Sequence, residues 1–495
     1  MKTIKAKITS LLLLCAMLTS FAACSSDSTD AGETTAADTV NDTAVETTAA
    51  DAETSLPIPD VSGMNLDGAS FGMLYFSNEL SHGWSGIPTD MNPTETSGDI
   101  LNDAVYERNR KVEEDVNIVI TEYPQKGHAA VFSEAQKTVM SGDDTYDIVC
   151  QSMQALGALV SGDLLRDMNK MQINTDAPWY NQKCIEELTI DGKLLFACSD
   201  ITYIDKLSTI VTFFNKDIAA DYSMEDFYKT VDDGKWTYDY MLKCAEQISK
   251  DVNGDGVMDK NDAYGISCQN DGSYYLLHSA GLRVGNKTSS GLEFAANNER
   301  FISTLQEIFD LMASELYFNN QANGVSIADT IALFVDNRDL FLIRPIQSVF
   351  NMRDMKADFG IIPMPRFFED DDEYHSPTNI YPGVIMCVPK NTKNADYIGT
   401  VIDYLAAESH VSVMPVFYGV VLDSKLTRDD IASRMLDIVF DSRVYDLGLM
   451  WDIGGLRTAI VTKEHLNVAS TIASLTSKAE TEIGELYKAF ENVKG

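Results

Sequence analysis

The sequence has few basic residues, and this shortage excludes whole classes of function. Across 495 residues, 38 lysines and arginines stand against 75 aspartates and glutamates, giving a formal net charge of −37. Nucleic acids and anionic membrane surfaces are bound through clustered lysine and arginine. We therefore expect no nucleic-acid partner, and a neutral or cationic ligand suits this charge better.

Motifs of catalysis and metal chemistry are also scarce. The eight cysteines include no C-x-x-C pair, so the spacing typical of zinc and redox sites is missing. No nucleophile or metalloprotease motif stands in a suitable context, and the six histidines are scattered. Carboxylate pairs are inevitable among so many acids, so they are no evidence for a glycosidase. We predict that the protein is not an enzyme.

The N-terminus has the pattern of an export signal. Three lysines precede an apolar stretch at 11–23, which is shorter than a membrane-spanning helix. The stretch leads into Phe-Ala-Ala-Cys at 21–24, which resembles a bacterial lipobox; an ordinary secretory cleavage at the same place is the alternative. We expect a signal peptide at 1–23 and a disordered acidic tether at 24–58, rich in Ser, Thr and Ala. Acyl chains on Cys24, palmitate among them, would hold the protein on the extracellular face of the cell membrane by a lipid anchor only.

Beyond the tether, apolar runs typical of buried strands alternate with segments of helical period. The runs predict strands at 71–76, 116–120, 148–150, 210–214 and 340–343, and the periodic segments predict helices at 131–140, 238–249 and 301–311. This alternation favours an α/β fold with largely parallel sheets. No run in the body reaches the roughly 18 consecutive apolar residues of a spanning helix, so we expect the body to lie outside the membrane.

Several segments, taken in order, resemble one family. They are "DILNDAVYERNRKVEEDVNIVI", "YDIVCQSMQALGALVSGDLLRDM", "TFFNKDIAADY", "KWTYDYMLKCAEQIS", "DFGIIPMPR" and "PGVIMCVPKNTKNADYIGTVIDYLAAES". The Asn-Lys-Asp turn at 215–217 and the Trp236 segment match the family pattern. The chain resembles the extracellular solute-binding lipoproteins of ABC importers, in particular the carbohydrate-binding kind similar to maltose-binding protein.

The resemblance implies a two-lobed periplasmic-binding-protein-like fold of type II, which closes on its ligand about a hinge. Lobe 1 would hold 59–206 and 367–408, and lobe 2 would hold 207–366 and 409–495. The implied partners are a small carbohydrate and the permease subunits of an ABC transporter, and we expect a monomer.

The sharpest local motif is "DVNGDGVMDKND", a twelve-residue loop with oxygen ligands at alternating positions around a glycine turn. Calcium prefers six to eight oxygen ligands arranged in this way. The predicted ligands are Asp251, Asn253, Asp255, the carbonyl of Val257, Asp259 and Asp262. We expect a structural Ca²⁺ site here, and a solvated acidic turn is the alternative.

Sugar recognition needs aromatic faces and planar polar groups, and open α/β sheets bind ligands at strand ends. The candidate ligand-binding residues are Trp451, Trp84, Trp179, Tyr180, Gln151, Ser152, Asp452 and Arg457, with Tyr203 and Arg344 as weaker ones. Trp451 is the preferred stacking platform, and its stretch is similar to the part of maltose-type proteins that supplies such an aromatic. Core packing is the alternative for each aromatic residue, and we expect it for Trp236.

These observations predict a lipid-anchored protein that captures a sugar and delivers it to an ABC transporter. Two alternatives stay open: a surface glycan-binding or sensory lipoprotein that is not coupled to import, and an exported glycosidase.

Overall fold

The structure, a computed structural model, describes most of the body of the chain. It covers residues 58–84, 91–288, 291–321, 323–368, 370–422, 430–462 and 467–493. The predicted signal peptide, the lipidation site Cys24 and nearly all of the tether lie outside these ranges, so they stay predictions.

Strands and helices alternate, as the sequence predicts. The strands are β1 Ala69–Phe76, β2 Ile118–Gln125, β3 Ile148–Ser152, β4 Ile210–Asn215, β5 Tyr264–Cys268, β6 Gly285–Thr288, β7 Gly291–Phe294, β8 Tyr317–Asn319, β9 Asp339–Pro345, β10 Phe359–Ile362, β11 Ser376–Pro377, β12 Val384–Cys387 and β13 Arg443–Val444. The first nine helices are α1 Asn78–His82, α2 Ile100–Val116, α3 His128–Ser141, α4 Leu156–Ser161, α5 Gln182–Leu188, α6 Ile204–Leu207, α7 Lys216–Asp221, α8 Phe227–Asp232 and α9 Tyr238–Ile248. The others are α10 Gly272–Ser279, α11 Glu299–Met312, α12 Ile327–Val335, α13 Ala395–Leu422, α14 Asp430–Asp441, α15 Leu447–Met450, α16 Leu456–Thr462 and α17 Val468–Asn492.

Lobe 1 is built on a four-stranded sheet in the order β12-β3-β1-β2. β1 runs parallel to both β2 and β3, and β12 is antiparallel to β3. All five residues of β3 are buried, as expected for a strand covered on both faces. Helix α2 is capped at its N-terminus by Asp99, whose carboxylate accepts hydrogen bonds from the backbone N–H groups of Leu101 and Asn102. The helix packs against α13.

Lobe 2 is built on a five-stranded sheet in the order β10-β4-β9-β5-β8. β9, β5 and β8 are parallel neighbours, while β4 is antiparallel to β9 and β10. Strand β8 has only three residues and forms one edge of the sheet. Helices α16 and α17 pack on α10 and α11 of this lobe, and α17 also contacts α4 of lobe 1. The predicted α/β class is confirmed.

Three segments of the chain cross between the lobes and pair with one another. Thr209 forms an antiparallel bridge with Thr378, and β11 pairs in parallel with β13. The crossing also holds a buried ion pair between Arg443 and Asp205, whose side chains are each 2% exposed. We call these segments, residues 208–210, 376–379 and 442–444, the lobe crossing.

Contacts in the structure bear on two of the predicted lobe boundaries, at 367 and at 408. Residues 367–375 pack on lobe 2, since the ring of Phe367 stacks on Tyr238 with 4.3 Å between centroids. Tyr374 likewise donates a hydrogen bond from its hydroxyl to the carbonyl of Val231. The predicted boundary at 408 falls inside α13, a single continuous helix.

Helix α13 is long and apolar enough, by length and composition, to cross a membrane. Half of its most apolar window is buried inside the protein, where it packs against α2. Core helices of globular proteins pass the same test, so this is weak evidence for a spanning segment.

Candidate functional site

The ends of two lobe 1 strands lie beside a short segment, residues 379–382, which starts at the last residue of one crossing segment. Ser152, the last residue of β3, donates a hydrogen bond from its hydroxyl to the carbonyl oxygen of Tyr381 at 2.9 Å. Asn78, just beyond β1, donates from Nδ2 to the carbonyl oxygen of Pro382 at 2.8 Å. Both donors are buried, so the strand ends of lobe 1 fix the position of Tyr381.

On the lobe 2 side, polar side chains lie at the ends of two parallel strands. Gln269 and Asp271 follow β5, and Arg344 lies near the end of β9. Arg344 donates from Nη1 to Oε1 of Gln269, and Nε2 of Gln269 donates to the carboxylate of Asp271. Nε2 of Gln269 also donates to the hydroxyl of Tyr275 at 2.8 Å. All four side chains are buried, and they form one connected polar network.

The two sides meet where Arg457 of α16 lies over the ring of Tyr381. The guanidinium carbon is 5.9 Å from the ring centroid, within cation–π range. Nη1 of Arg457 donates to the carbonyl oxygens of Leu449 at 3.0 Å and Met450 at 3.1 Å, which fixes its orientation. We call the residues at this junction the interlobe cluster: Tyr381, Arg457, Asp271, Gln269 and Arg344.

Burial sets the charges of the interlobe cluster. It raises the pKa of Asp271 to about 6, because it outweighs the hydrogen bond from Gln269 and the nearby Arg344 and Arg457. Burial also raises the pKa of Tyr381 to about 12 and lowers the pKa of Arg344. At neutral pH the cluster therefore offers an ionised acceptor, a neutral phenol and fixed guanidinium donors, which suit the hydroxyl groups of a polar solute.

Four of the predicted binding residues lie at or near this junction. Ser152 positions Tyr381, and Arg457 contacts its ring. Gln151 is fully buried and donates from Nε2 to the carbonyl of His128, so it organises the end of β3. The carboxylate of Asp452 accepts a hydrogen bond from the backbone N–H of Thr458 at 3.0 Å and lies 3.9 Å from Arg457. Direct contact of these residues with a ligand stays a prediction.

Trp451 is half-buried, and its ring packs between the two lobes. The ring makes edge contacts with Phe196 and Phe490, at 6.0 and 6.3 Å between centroids. It also lies directly on Gly157 of α4, where an added Cβ would stand 1.4 Å from the indole Nε1. Within the described ranges, Nε1 is buried without a hydrogen-bond partner. The structure thus gives Trp451 an interlobe packing contact, and its stacking on a sugar stays a prediction.

The other predicted aromatic residues differ in exposure. Trp84 follows α1 and is half-buried. Trp179 and Tyr180 are each 3% exposed, and the indole Nε1 of Trp179 donates to Asp403 at 2.6 Å, which favours a packing role for both. Trp236 is fully buried and donates to the carbonyl of Pro363, so its predicted core position is confirmed. Tyr203, which precedes α6, is also buried, and its ring stacks on that of Phe417 in α13.

Sequence reasoning missed three members of the interlobe cluster: Tyr381, Gln269 and Asp271. The last two stand in "SCQND", directly after an apolar strand-like run, and polar residues at a strand end are the signal that could have found them. Tyr381 carries no comparable signal, because its position depends on hydrogen bonds to strand ends more than 200 residues earlier in the chain.

The carboxylates of the predicted calcium loop bond to the loop's own backbone. Asp251 accepts from the N–H groups of Gly254 and Gly256, and Asp262 is fully buried and accepts from Val252 and Asp259. Among the residues with described placement, no group of three or more His, Cys, Asp or Glu side chains is arranged to hold a metal ion. Calcium binding by this loop stays a prediction.

One short match to a hydrolase motif lies away from the cluster. Residues 68–72 read G-x-S-x-G, but Ser70 lies inside β1 near its start, at the opposite end of the strand from Asn78. A nucleophile elbow needs a strand-to-helix turn, which is absent at this position. This match therefore gives no support to a catalytic serine.

Comparison with known proteins agrees with this architecture. The family model described as bacterial extracellular solute-binding protein matches residues 92–410, more than half of the chain. No curated protein sequence matches the chain.

Three solved structures are similar in fold. A cyclo/maltodextrin-binding protein complexed with maltotetraose has a TM-score of 0.55 at 13% identity, over 87% of this chain and 100% of the other. An ABC substrate-binding protein of Listeria monocytogenes in complex with cycloalternan has a TM-score of 0.54 at 14% identity, over 84% and 100%. The GacH receptor of Streptomyces glaucescens GLA.O, solved unliganded and with acarbose, has a TM-score of 0.51 at 12% identity, over 86% and 98%.

At these identities the structural likeness shows the fold, and it confirms the predicted two-lobed periplasmic-binding-protein-like architecture. The family match extends from the segment before α2 into α13, across both sheets. The chain therefore belongs to the family of bacterial extracellular solute-binding proteins.

Proposed function

We propose that this protein captures a sugar or oligosaccharide in the cleft between its lobes and releases it unaltered to an ABC transporter. The single observation that carries the proposal is the interlobe cluster. Strand ends of both sheets meet there through Tyr381 and Arg457, so one solute could contact both lobes at once.

The chemistry of the cluster suits a neutral polyhydroxylated ligand. Guanidinium groups such as those of Arg344 and Arg457 donate hydrogen bonds to hydroxyl oxygens, and the carboxylate of Asp271 accepts from hydroxyl protons. The face of Tyr381 opposite Arg457 would supply an apolar surface on which the C–H face of a sugar ring can stack. An anionic solute is disfavoured by the overall net charge of −37.

The similar structures support a carbohydrate ligand. Their bound molecules, maltotetraose, cycloalternan and acarbose, are sugars or close sugar derivatives. These molecules differ in shape, so the likeness favours the chemical class and does not select one compound.

Membrane attachment is the second part of the proposal. The lipobox-like "FAAC" at 21–24 and the acidic segment that follows favour a lipid anchor at Cys24, with the body outside the membrane. A permease encoded beside this protein would favour transport. An adjacent sensor kinase would favour the alternative, a glycan-binding lipoprotein that signals.

Calorimetry with a panel of neutral oligosaccharides tests the binding proposal. We expect at least one sugar to bind the mature protein and to be recovered intact after incubation. Cleavage of the sugar would favour the glycosidase alternative. Binding of a peptide or a polyamine, with no response to any sugar, would overturn the carbohydrate assignment.

A further inference from the structure

A cavity of about 320 Å³ opens in lobe 2 beside the edge strand β8. Its walls are the end of α11, the chain around β8, part of α16 and the turn after β5. Every residue that lines it belongs to lobe 2. Its shape therefore does not depend on how the two lobes meet.

The cavity combines an apolar floor with a rim of amides. Three aromatic side chains, each at most 5% exposed, form part of the floor: Tyr264, Phe309 and Tyr317. Met258, Met312, Ile460 and Val461 supply further apolar surface. The lining also includes four amide side chains, which we call the rim although Asn319 is itself buried: Asn270, Asn319, Gln321 and Asn323. Aromatic faces beside amide groups are the combination that recognises a sugar ring, through its C–H surface and its hydroxyls.

The charge of the lining narrows the ligand class. Glu315 is the one acid among the lining residues, and that set contains no lysine, arginine or histidine. Among the described lining residues a phosphate or carboxylate group has no cation to pair with, so a neutral solute suits this lining best. The volume lies at the lower end of the range of about 300–1,000 Å³ for small-molecule sites, which suits a small ligand or one end of a longer one.

Part of the rim is held rigidly. Oδ1 of Asn319 accepts a hydrogen bond from the backbone N–H of Gln321 at 2.8 Å. Nδ2 of Asn323 donates to the carbonyl of Asn319 at 2.9 Å. Because these amides are already positioned by the loop, a ligand would order few side chains on binding.

Two walls of the cavity are formed by residues that are neighbours, along the chain, of members of the interlobe cluster. Asn270 stands in the chain between Gln269 and Asp271, which are both members of the cluster. Ile460 and Val461 lie three and four residues after Arg457 on α16, so all three share one helix face.

A third contact links the cavity to the start of α10. The hydroxyl of Tyr317 lies so close to Gly272 that a Cβ added there would stand 2.0 Å from it. Gly272 directly follows Asp271, so Tyr317 connects the cavity floor to the cluster.

We propose that this cavity is an outer sugar subsite, which takes the terminal unit of an oligosaccharide whose other units lie at the interlobe cluster. The proposal rests on the carbohydrate function proposed above and adds a preference for chain length. Short sugars contact the cluster alone, and longer ones also contact the floor and rim of the cavity.

Ala313 allows the cavity to be filled without touching the cluster. It is an exposed lining residue that directly follows α11. Ala313→Trp would place an indole in the cavity, and Ala313→Ser is the matched control. Asn270→Ala, which removes one rim amide from a half-buried position, is a second and milder variant.

The test is calorimetry with malto-, cello- and xylo-oligosaccharides, each from disaccharide to hexasaccharide. For the wild type, we expect affinity to rise by roughly tenfold, or about 1.4 kcal/mol, at the length that reaches the cavity. Ala313→Trp should remove that gain and leave the affinity for shorter sugars unchanged, whereas Ala313→Ser should retain it. Asn270→Ala should reduce the gain.

The outcomes separate this proposal from the function on which it rests. An affinity that does not depend on length in the wild type overturns the subsite alone, and so does an Ala313→Trp profile that matches the wild type. An equal loss at every length also overturns it, because the effect would then lie in the cluster. If the wild type binds no sugar at all, the proposed function fails together with the subsite.

Discussion

The lobe crossing and the interlobe cluster each hold a buried arginine, but the two arginines have different partners. At the crossing, Arg443 is buried and contacts the carboxylate of Asp205, which is also buried. In the cluster, Arg344 is 6% exposed and donates to the amide of Gln269 and the hydroxyl of Ser348, both neutral groups. Asp271 lies close enough to influence Arg344 without pairing with it directly.

The difference separates a structural role from a binding role. At the crossing the two opposite charges pair with each other inside the protein, as expected for a structural ion pair. In the cluster the guanidinium of Arg344 donates to neutral groups and the carboxylate of Asp271 has a raised pKa, and perturbed pKa values are typical of binding sites. We therefore expect changes at the crossing to affect stability, and changes in the cluster to affect affinity.

Breaking the crossing should have the largest effect. Arg443→Met leaves Asp205 buried without its partner, and we expect the free energy of unfolding to fall by about 3–5 kcal/mol. Denaturant titration measures this loss. The matched control is Arg434→Met, which removes an exposed ion pair with Asp232 and should cost no more than about 1 kcal/mol. Equal losses in the two variants would contradict the special role of the crossing.

Replacing Trp451, which packs between the lobes, should have the second-largest effect. If a sugar stacks on it, Trp451→Ala should weaken binding by about 1–3 kcal/mol, measured by calorimetry. Gly157→Ala keeps the indole but pushes it off α4, and should weaken binding in the same direction. A lower melting temperature with unchanged affinity in both variants would assign Trp451 to interlobe packing alone.

The pH dependence of affinity sharpens the comparison further. Because the pKa of Asp271 is raised to about 6, its carboxylate becomes ionised as pH increases through that value. A charged acceptor forms the stronger hydrogen bond, so sugar affinity should rise by about 1 kcal/mol between pH 5 and pH 7. Asp271→Asn should give a flat profile over this window. An unchanged slope in the variant would show that another group titrates.

The raised pKa of Asp271 has the opposite effect on the stability of the ligand-free protein, which should fall as pH rises. The folded state binds the Asp271 proton more tightly than the unfolded chain, whose reference pKa is 3.8. The contribution of Asp271 to stability is therefore greatest below pH 3.8 and declines as pH rises towards 6. Comparing denaturant titrations of the wild type and Asp271→Asn across this range isolates the contribution.

The calcium loop lies outside both regions and should give the smallest effect. If it binds Ca²⁺, adding millimolar calcium should raise the melting temperature by a few degrees without changing sugar affinity. Sodium chloride at equal ionic strength is the control, and Asp255→Asn should abolish the response. A melting temperature that is the same with calcium and with chelator would mean that the loop stays empty.

Local signals in the sequence predicted the elements well. The apolar runs located the central strands of both lobes. The second strand was predicted from residue 116, but Val116 ends the helix. Asn117 follows it in the left-handed conformation, with φ 52°, so the strand begins at Ile118. An αL cap of this kind is weakly encoded when the residue is not glycine.

The site was harder to predict than the elements. Arg457 and Ser152 were found because strand ends and family likeness pointed to them. Tyr381 was missed because its place depends on Ser152 and Asn78, which meet it only after the chain has passed through lobe 2. Long-range pairing of this kind leaves no periodicity in the sequence.

Hydrogen–deuterium exchange with and without a bound sugar tests the central claim most directly, since it reports both lobes in one experiment. We predict that the ligand slows exchange of backbone amides at residues 379–381 and 269–272 together. Protection confined to one of these segments, or found only elsewhere in the chain, would contradict a ligand held between the lobes at the interlobe cluster.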